Sequence, residues 1–320
     1  MNLSALVEIG KGSCPIGMEE FQNINQSGLA GWLLNREDYL LTSELSERCK
    51  DLTLHYLLRY EVFREEMTEF LKIFPSAVPI KGMSLIPRIY AGHCLRRVSD
   101  IDLYYPGDFQ EIRKYFTEQG FSISEDDWEP DQFKLNVTKV IQGVEVPFEI
   151  HRELLWKCKV DWHWQNDHRT AFQTLVPEDE LVYLSGHLAY QHTMLSINWL
   201  IDIALLLKTV ERWDARRIED LLEKIPLRNS LSTCLWACES VLQVTIPVNL
   251  KPFVRKNVGN KAIHLILTEF FLWTPTKYPV RYYLLKHLLK DSIGNALLYN
   301  IIWLKHHLWK KIFTRKKLAC

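Results

Sequence analysis

The chain has 320 residues, of which 47% are hydrophobic and 24% are charged, and its 39 Lys and Arg balance its 39 Asp and Glu. These proportions are those of a folded globular protein, and they exclude a disordered chain, a collagen-like fibre and a disulfide-stapled miniprotein. The zero net charge is a cancellation, because residues 251–320 carry 14 basic against two acidic residues, a net charge of +12, and residues 1–250 carry −12.

The cysteines and the apolar segments predict a cytoplasmic protein without a transmembrane helix. Seven cysteines lie at irregular spacing with no C-x-x-C pair, which is typical of reduced thiols. The first ten residues lack a basic segment followed by an apolar run, so no secretory signal is predicted. The most apolar stretch, residues 195–207, contains Asn198 and Asp202 and is shorter than the roughly 18 uncharged residues that a spanning helix needs. We expect a buried helix there, with Asp202 bonded to a neighbouring group or facing a cleft.

Three regions follow one another along the chain. Apolar residues recur at helical spacing from Leu45 to Phe74, and Pro75 ends the pattern, so residues 1–74 are predicted to be a helical lead with one or two amphipathic helices after residue 45. Residues 75–155 are predicted to form a small α/β core. Its helix covers residues 108–119 and ends at Gly120, and its strands cover residues 78–80, 99–105, 121–124, 133–141 and 144–151.

Beyond about residue 152 the strand signals cease and helical periodicity dominates. Helices are predicted over residues 178–192, 196–210, 214–223, 230–243, 262–271 and 282–309. Residues 156–320 are therefore predicted to be a helical C-terminal domain with a basic tail. In the first of these helices, His187 and His192 are five residues apart and do not share a face of an α-helix well, so we expect them to pack against other helices or to line an acceptor pocket.

Acidic residues alternate with apolar ones on two of the predicted strands. Asp100 and Asp102 lie on one face of a strand, about 7 Å apart. Their mutual repulsion is removed by a divalent cation, and oxygen ligands favour Mg²⁺ or Mn²⁺. Glu149 and His151 share a face of a later strand. If the two strands are neighbours, Glu149 completes a three-carboxylate cluster able to hold one or two metal ions.

A phosphate-binding turn is predicted upstream of the acidic strand. Lys81 and Gly82 lie where a strand runs into a turn that opens a short helix. Backbone N–H groups at a helix N-terminus bind anions, and Lys81 adds a point charge. Arg96 and Arg97, just before the acidic strand, could clamp the same phosphates with their planar guanidinium groups.

These residues, in this order, resemble a known family. Residues 80–85 (Ile-Lys-Gly-Met-Ser-Leu) and 97–103 (Arg-Val-Ser-Asp-Ile-Asp-Leu) look like the uncharacterised bacterial nucleotidyltransferase family of the polymerase-beta-like superfamily. Residues 148–151 match a third element of its pattern, and residues 180–187 with His192 and residues 199–204 resemble its helical segments. The likeness covers about residues 45–245.

The resemblance implies an α+β fold, in which a small mixed sheet with flanking helices is followed by an all-helical C-terminal domain. It implies a nucleoside triphosphate donor such as ATP, two Mg²⁺ ions, with Mn²⁺ as a substitute, and transfer of a nucleoside monophosphate to an acceptor. Asp100, Asp102 and Glu149 would be catalytic and hold the metal. The nucleotide-binding residues would be Lys81, Gly82, Ser84 and Arg97. His151 would be a partner of the metal ligands or an acceptor-side base, with a purely structural role left open.

Three departures from the family pattern leave an alternative open. Met83 follows Gly82 where the superfamily has Gly or Ser, Glu149 replaces the commoner Asp, and Pro147 predicts that its strand lies at a sheet edge. A non-catalytic nucleotide-binding or accessory module that has kept the fold is therefore an alternative function.

The acceptor is left open between a small molecule, a peptide and RNA. Basic residues near the C-terminus are interleaved with Tyr282, Tyr283, Trp303 and Trp309. A helix of this composition can contact RNA phosphates, an acidic partner or a membrane surface, and it can equally be a solvated helix that complements the acidic body. Because residues 97–102 also resemble the nucleotidyltransferase toxins of bacterial abortive-infection systems, a tRNA-modifying transferase is a further alternative.

Overall fold

The protein folds as a mixed sheet with flanking helices, followed by a helical C-terminal region. The computed structural model describes residues 14–15, 17–34, 39–90, 92, 96–123, 134–155, 158–254, 258–268, 272, 278–291, 294, 296–297 and 300–301. Within this part of the chain the predicted α+β class is confirmed.

A long helix leads into the sheet. Strand β1 (Cys14–Pro15) pairs in parallel with β2 (Tyr39–Leu40), and helices α1 (Met18–Gln26) and α2 (Ala30–Leu34) lie between them in the sequence. Helix α3 (Ser43–Ile73) follows and is a single helix of 31 residues. The Thr42 side chain accepts a hydrogen bond from the Leu45 amide and caps this helix at its N-terminus.

The sheet has five strands among the described residues. In chain order its elements are β3 (Val78–Pro79), α4 (Lys81–Ile89), β4 (Ile101–Tyr104), α5 (Phe109–Glu118), β5 (Ser122–Ile123), β6 (Lys134–Ile141) and β7 (Val144–His151). The strand order is β3-β4-β7-β6-β5. Strands β4 and β7 run parallel, and the other neighbours run antiparallel. The predicted strands and the predicted helix after β4 are present, with bounds that differ by a few residues at most, and residues 124 and 133 lie outside the described part.

One face of the sheet is covered by an aromatic core. Phe148 and Ile150 of β7 are buried, as their period-two spacing predicted. The Phe148 ring lies 5.1 Å from Phe116 of α5, and Phe116 stacks on Phe70 of α3 at 5.2 Å. Burial of this face fixes the register of β7, so Glu149 and His151 must point to the opposite face of the sheet.

The edge position predicted for the strand of Pro147 is wrong. Strand β7 lies between β4 and β6, and Pro147 pairs with Thr138 of β6. Strand β4 begins to pair with β7 only at Phe148, so Pro147 has no β4 residue opposite it. The short length of β4 therefore lets a proline lie in a central strand.

The C-terminal region is helical apart from a small hairpin. Strands β8 (Trp164–Asn166) and β9 (Gln173–Leu175) pair antiparallel, so the prediction that strands cease after about residue 152 is wrong. These strands have three residues each, too few to show an alternating pattern. The following elements are α6 (Pro177–Ser185), a π-helix (Gly186–Gln191), α7 (Ile197–Thr209), α8 (Ala215–Lys224), α9 (Arg228–Ser240), a 3₁₀ helix (Val248–Phe253), α10 (Val258–Ile266) and α11 (Pro279–Leu288).

Part of the C-terminal prediction falls on residues outside the described part. The prediction of a single helix over residues 282–309 is wrong, because the helix begins at Pro279 and ends at Leu288. Trp303, Trp309 and the basic residues from Lys305 onward lie outside the described part. In the described part of the chain, no helix combines the length and apolar character needed to cross a bilayer. Cys49, Cys158, Cys234 and Cys238 are free and buried.

Buried ion pairs join the sheet region to the helical region. Arg88 of α4 donates to Glu180 of α6 at 2.5 Å. Arg96 donates to Asp202 of α7 at 2.9 Å, and the Tyr90 hydroxyl donates to the same carboxylate at 2.5 Å. The expectation that Asp202 is bonded to a neighbouring group is confirmed. These contacts hold α6 and α7 against α4, which begins at Lys81, and against the segment that leads into β4.

Candidate functional site

The register between β4 and β7 brings two carboxylates and an imidazole together. Asp102 is paired with Glu149, and Tyr104 with His151. Paired residues on adjacent strands point to the same face, and so do residues two apart on one strand. Asp102, Glu149 and His151 therefore share the face opposite the aromatic core, and each offers a ligand atom within 4.8 Å of the others. We call these three residues the metal cluster.

Asp102 lies at the centre of the metal cluster and is 3% exposed. The Lys81 Nζ atom donates to its Oδ1 atom at 2.6 Å, and His151 Nε2 lies 2.9 Å from the same oxygen. Burial by itself would raise the pKa of Asp102, but the charge of Lys81 and the contact with His151 outweigh burial and hold this pKa well below its usual range. Asp102 is therefore an ionised ligand at neutral pH.

Lys81 reaches Asp102 from the first residue of α4. The Ile80 amide donates to the Asp102 carbonyl at 3.0 Å, which fixes the end of β3 beside β4. Lys81 then adopts a φ of 53°, in the left-handed region, at a cost of about 1–3 kcal/mol. Burial would lower the pKa of Lys81, yet the charge of Asp102 raises it overall, so the ammonium stays charged. A strained turn thus holds a permanent cation against the metal cluster.

Gly82 allows the chain to pass close to this turn. A Cβ atom at this position would lie 2.9 Å from the Arg96 guanidinium and 3.4 Å from the Val98 side chain. Arg96 is buried and cannot move away without losing its pair with Asp202. Any larger residue at position 82 would therefore displace the segment that leads into β4.

Asp100 lies beside the metal cluster but outside it. It precedes the first residue of β4, and the Ser99 hydroxyl donates to its Oδ1 atom at 2.8 Å. The sequence predicted a cluster of Asp100, Asp102 and Glu149, whereas among the described residues the side chains close enough to share an ion are Asp102, Glu149 and His151. Burial, and then the charge of Asp102, raise the pKa of Asp100 to about 6. The role of Asp100 as a metal ligand stays a prediction.

Glu149 and His151 complete the metal cluster. Glu149 accepts from Lys134 Nζ at 2.7 Å, and its side chain is 24% exposed against 4% for Asp102, so the metal cluster is most accessible at Glu149. Burial and then the charge of Lys81 lower the pKa of His151, which keeps the imidazole neutral. Its Nε2 atom also lies 3.6 Å from Glu149 Oε2. Because carboxylates only accept hydrogen bonds, Nε2 carries the proton in this arrangement.

The metal cluster fits a divalent cation. An ion with ligand distances of about 2.0–2.6 Å can be shared by atoms up to about 5 Å apart, which matches the spacing of the three ligand atoms. Two carboxylate oxygens are ligands for hard divalent cations, and the imidazole nitrogen is a ligand for transition-metal ions. The Lys81 ammonium against Asp102 shows that a positive charge is already accommodated there.

Arg96, Arg97 and Ser84 differ in how they relate to the predicted phosphate site. The guanidinium of Arg96 is directed to Asp202, so its expected contact with phosphate is not formed. Arg97 is exposed, and its amide donates to the Gly28 carbonyl at 2.8 Å. Ser84 lies in the first turn of α4, where its hydroxyl accepts from Arg88 at 3.3 Å. The nucleotide-binding roles of Arg97 and Ser84 stay predictions.

A second group of polar and aromatic side chains lies on the helical elements that the buried ion pairs hold against the sheet region. It consists of Tyr183 on α6, His187 in the π-helix, His192 just after it, and Trp199 on α7, and we call it the ring cluster. The His187 ring lies 4.5 Å from His192 and 4.6 Å from Trp199, measured between ring centroids. After burial, the charge with the largest effect on the pKa of each of the first three side chains is that of Lys81. The ring cluster therefore lies within electrostatic range of Lys81.

The π-helix explains why the two histidines meet. A hydrogen bond from the His192 amide to the His187 carbonyl, at 3.2 Å, spans five residues. Residues five apart therefore lie one above the other, as they do not in an α-helix. The expectation that His187 and His192 do not share a face is wrong for this reason. Burial, and then the charge of Lys81, lower the pKa of His192 to about 4, and that of His187 also falls well below its usual range, so both rings are neutral.

Close packing and a strained turn hold the π-helix in place. A Cβ atom on Gly186 would lie 2.9 Å from the Cδ1 atoms of both Leu155 and Leu227, so a larger residue would force both buried side chains to shift. The turn that follows has Thr193 and Met194 at φ values of 53° and 61°. Non-glycine residues in this region cost about 1–3 kcal/mol each and occur at sites where the surrounding structure requires them.

Lys134 and Tyr183 were missed from the sequence. Lys134 of β6 lies opposite His151 of β7. Its side chain could have been assigned to the face that carries Glu149 only if the register of the hairpin between β6 and β7 had been known. Tyr183 and His187 are four residues apart, a spacing that puts two side chains on one helix face. That spacing is the signal by which Tyr183 could have been found.

Comparison with known proteins gives one result. The family described as uncharacterised nucleotidyltransferase matches residues 38–243. No curated protein and no solved structure matches the chain. The matched range contains the Lys81 turn, the metal cluster and the ring cluster. The chain belongs to this family of uncharacterised nucleotidyltransferases.

Proposed function

We propose that the protein is a divalent-metal-dependent nucleotidyltransferase that moves a nucleoside monophosphate from a nucleoside triphosphate to an acceptor. The observation that supports this most directly is the metal cluster on adjacent parallel strands with the Lys81 turn beside it. The family to which the chain belongs supports the same reaction class.

The reaction joins an acceptor oxygen to the α-phosphorus and breaks the bond between the α-phosphorus and the β-phosphate oxygen. Pyrophosphate leaves, and the acceptor loses its proton. Asp102, Glu149 and His151 would hold the cation, with Asp100 as a candidate ligand for a second one. A bound Mg²⁺ or Mn²⁺ supplies stabilisation of the negative charge on the transferring and leaving phosphates.

Lys81 and the start of α4 hold the triphosphate. The ammonium is charged at every working pH, and the first amides of α4, at Gly82, Met83 and Ser84, have no partner within their own helix. The positive end of the helix dipole adds to this attraction for phosphate. The Lys81 ammonium is paired with Asp102, so it would exchange Asp102 for a phosphate when substrate binds.

His151 keeps its proton on Nε2 while it contacts Asp102, and it binds a cation through this atom only if the proton moves to Nδ1 or leaves. Lys134 holds Glu149 at the open side of the metal cluster. These two contacts orient the carboxylates toward one another before substrate arrives, which is the preorganisation that charge stabilisation requires.

The test is transfer of label from each α-³²P-labelled nucleoside triphosphate, with Mg²⁺ or Mn²⁺, to components of a cell extract. Wild type is expected to label an acceptor, and the Asp102→Asn variant is expected to lose at least about 100-fold in rate. Glu145→Gln is the matched control, because Glu145 lies on the same face of β7 four residues from Glu149 and is exposed. Equal labelling by wild type and Asp102→Asn would contradict the proposal. Metal-dependent nucleotide binding without any transfer would identify a nucleotide-binding module instead.

A further inference from the structure

Two buried polar atoms in the ring cluster have no hydrogen-bond partner among the described residues. They are the Tyr183 hydroxyl oxygen and His187 Nε2. Tyr183 is 1% exposed and His187 is 6% exposed, so water does not replace the missing bonds at the surface. Buried polar groups are nearly always paired in folded proteins, and an unpaired one calls for an explanation such as a ligand.

The two atoms belong to one recognition surface. Tyr183 and His187 are four residues apart across the junction of α6 and the π-helix, and their ring centroids lie 6.2 Å apart. The other ring nitrogen of His187 faces Gln191 Oε1 at 3.2 Å. Because the glutamine oxygen only accepts, Nδ1 carries the proton of the neutral ring and Nε2 is left as an acceptor. The surface thus offers one acceptor and one hydroxyl, both uncharged.

An acceptor beside a hydroxyl favours hydroxyl ligands over charged groups. The His187 Nε2 atom has no proton to donate to a phosphate, and neither atom carries the negative charge that an ammonium group prefers. A hydroxyl donates to a neutral imidazole nitrogen and accepts from a phenol. Two atoms on adjacent helical turns suit two neighbouring hydroxyls, as in a sugar diol.

The helix that carries Tyr183 is tied to the helix that begins at the triphosphate site. Lys81 and Asp102 are close enough to Tyr183 and His187 for their charges to act on the pKa of both side chains. The Arg88–Glu180 pair holds α6 to α4, the helix that begins at Lys81. A nucleotide whose phosphates lie at Lys81 and whose α-phosphate lies at the metal cluster has its sugar within the next few ångströms.

We propose that Tyr183 and His187 bind the ribose hydroxyls of the nucleotide and make the site selective for ribonucleotides over nucleotides that lack these hydroxyls. This inference rests on the proposed function, because it takes a nucleoside triphosphate as the ligand. Trp199 and His192 pack against His187 and fix its ring plane. Both atoms are buried while Lys81 is paired with Asp102, so ribose binding requires Lys81 to leave Asp102 for the phosphates.

The test is equilibrium binding to the full chain, by calorimetry with Mn²⁺. The ligands are each ribonucleoside triphosphate, its 2′,3′-dideoxy counterpart and inorganic tripolyphosphate. Wild type is expected to bind at least one ribonucleotide about tenfold more tightly than its dideoxy counterpart, a loss typical of hydrogen bonds to a buried site. Tyr183→Phe removes only the unpaired oxygen and is expected to lose most of that preference, with its affinity for tripolyphosphate unchanged.

Two further variants make the result decisive. His187→Phe keeps a ring against Trp199 and is expected to lose the same preference, and Tyr115→Phe, in the aromatic core at α5, is the control that keeps it. Melting temperatures of all variants report whether each one folds. An undiminished ribose preference in Tyr183→Phe, or equal binding of ribo- and dideoxynucleotides by wild type, overturns the inference while the proposed function stands. Failure of wild type to bind any triphosphate with metal overturns the proposed function itself.

A sugar hydroxyl pair could also come from an acceptor, and the arms of the experiment separate the two sources. Ribose recognition changes the affinity of the nucleotide alone, with no acceptor in the cell. A ring cluster that served only an acceptor would leave every nucleotide affinity unchanged in Tyr183→Phe and His187→Phe, and this result counts against the ribose assignment.

Discussion

A substitution of Asp202 tests how much the buried contacts between the sheet region and the helical region contribute to stability. Its carboxylate is 1% exposed and accepts from Arg96 at 2.9 Å and from the Tyr90 hydroxyl at 2.5 Å. Asp202→Asn removes the negative charge but keeps the volume. The Arg96 guanidinium then stays buried without an opposite charge, because its side chain is only 5% exposed.

The expected loss of stability follows from these contacts. Hydrogen bonds to a charged group contribute about 1.5–3 kcal/mol each, and the amide of Asp202→Asn keeps an acceptor oxygen for only one of the two bonds. Removing one charge of a buried ion pair costs about 3–5 kcal/mol in all, because the other charge stays buried without its partner. We therefore expect the free energy of unfolding to fall by about 3–5 kcal/mol in Asp202→Asn.

The assay is urea unfolding followed by tryptophan fluorescence, with Trp199 on the same helix as a reporter. Asp220→Asn, at an exposed position on α8, is the matched control and is expected to change stability by less than about 0.5 kcal/mol. The double variant Asp202→Leu with Arg96→Met removes both charges and is expected to recover much of the loss. A loss below about 1 kcal/mol in Asp202→Asn, or a double variant as unstable as the sum of the single ones, would refute the reasoning.

Three further predictions concern the site and its supports. Lys81→Met leaves Asp102 buried without its cation, so melting in the absence of metal should fall sharply and should recover with Mn²⁺; a melting temperature insensitive to Mn²⁺ would count against the metal cluster. Because burial and the charge of Asp102 raise the pKa of Asp100 to about 6, stability falls as pH rises from the unfolded pKa to about 6, and the loss is complete above that pH. Metal-free Asp100→Asn should therefore melt higher than wild type at pH 7 and equally near pH 3, and an equal melting temperature at pH 7 would show that no such strain exists. The Asp291 carboxylate accepts hydrogen bonds from the amides of Arg228 and Asn229 at 2.9 and 2.7 Å, at the N-terminus of α9. Asp291→Ala should lower the free energy of unfolding by about 1–2 kcal/mol and increase proteolysis near α11, which precedes Asp291. An unchanged digestion pattern would show that this contact does not hold α11 in place.

Local pattern predicted the parts of the site that lie on single elements. The alternation in β7 correctly placed Phe148 in the core and Glu149 with His151 on the opposite face, because side chains alternate strictly along a strand. The same reasoning brought Asp102 and Glu149 to one face, given that their strands are neighbours. It did not predict that His151, and not Asp100, stands at ligand distance from both, because Asp100 lies before the first paired residue of β4.

Features that depend on partners distant in sequence were missed or misread. Arg96 looked like a phosphate clamp, but its partner Asp202 is 106 residues away in the chain. Pro147 indicated an edge strand, but a short β4 leaves it unopposed inside the sheet. The positions of His187 and His192 were predicted from α-helical geometry, but the two residues lie in and just after a π-helix. This π-helix begins at Gly186, which packs closely against Leu155 and Leu227, two residues distant in the sequence.

The sequence by itself determined the chemistry of the protein: a charged lysine at a glycine turn, two acidic strands, and a net charge of zero that conceals a basic C-terminal stretch. These are properties of neighbouring residues, and periodicity and side-chain chemistry are enough to identify them. The tertiary structure alone decided which of the acidic residues meet and which arginine forms a buried pair. It also decided that Tyr183 and His187 lie together with buried polar atoms that have no partner among the described residues. Strand register and the contacts between helices decide those questions, because they depend on burial of apolar faces far apart in the chain.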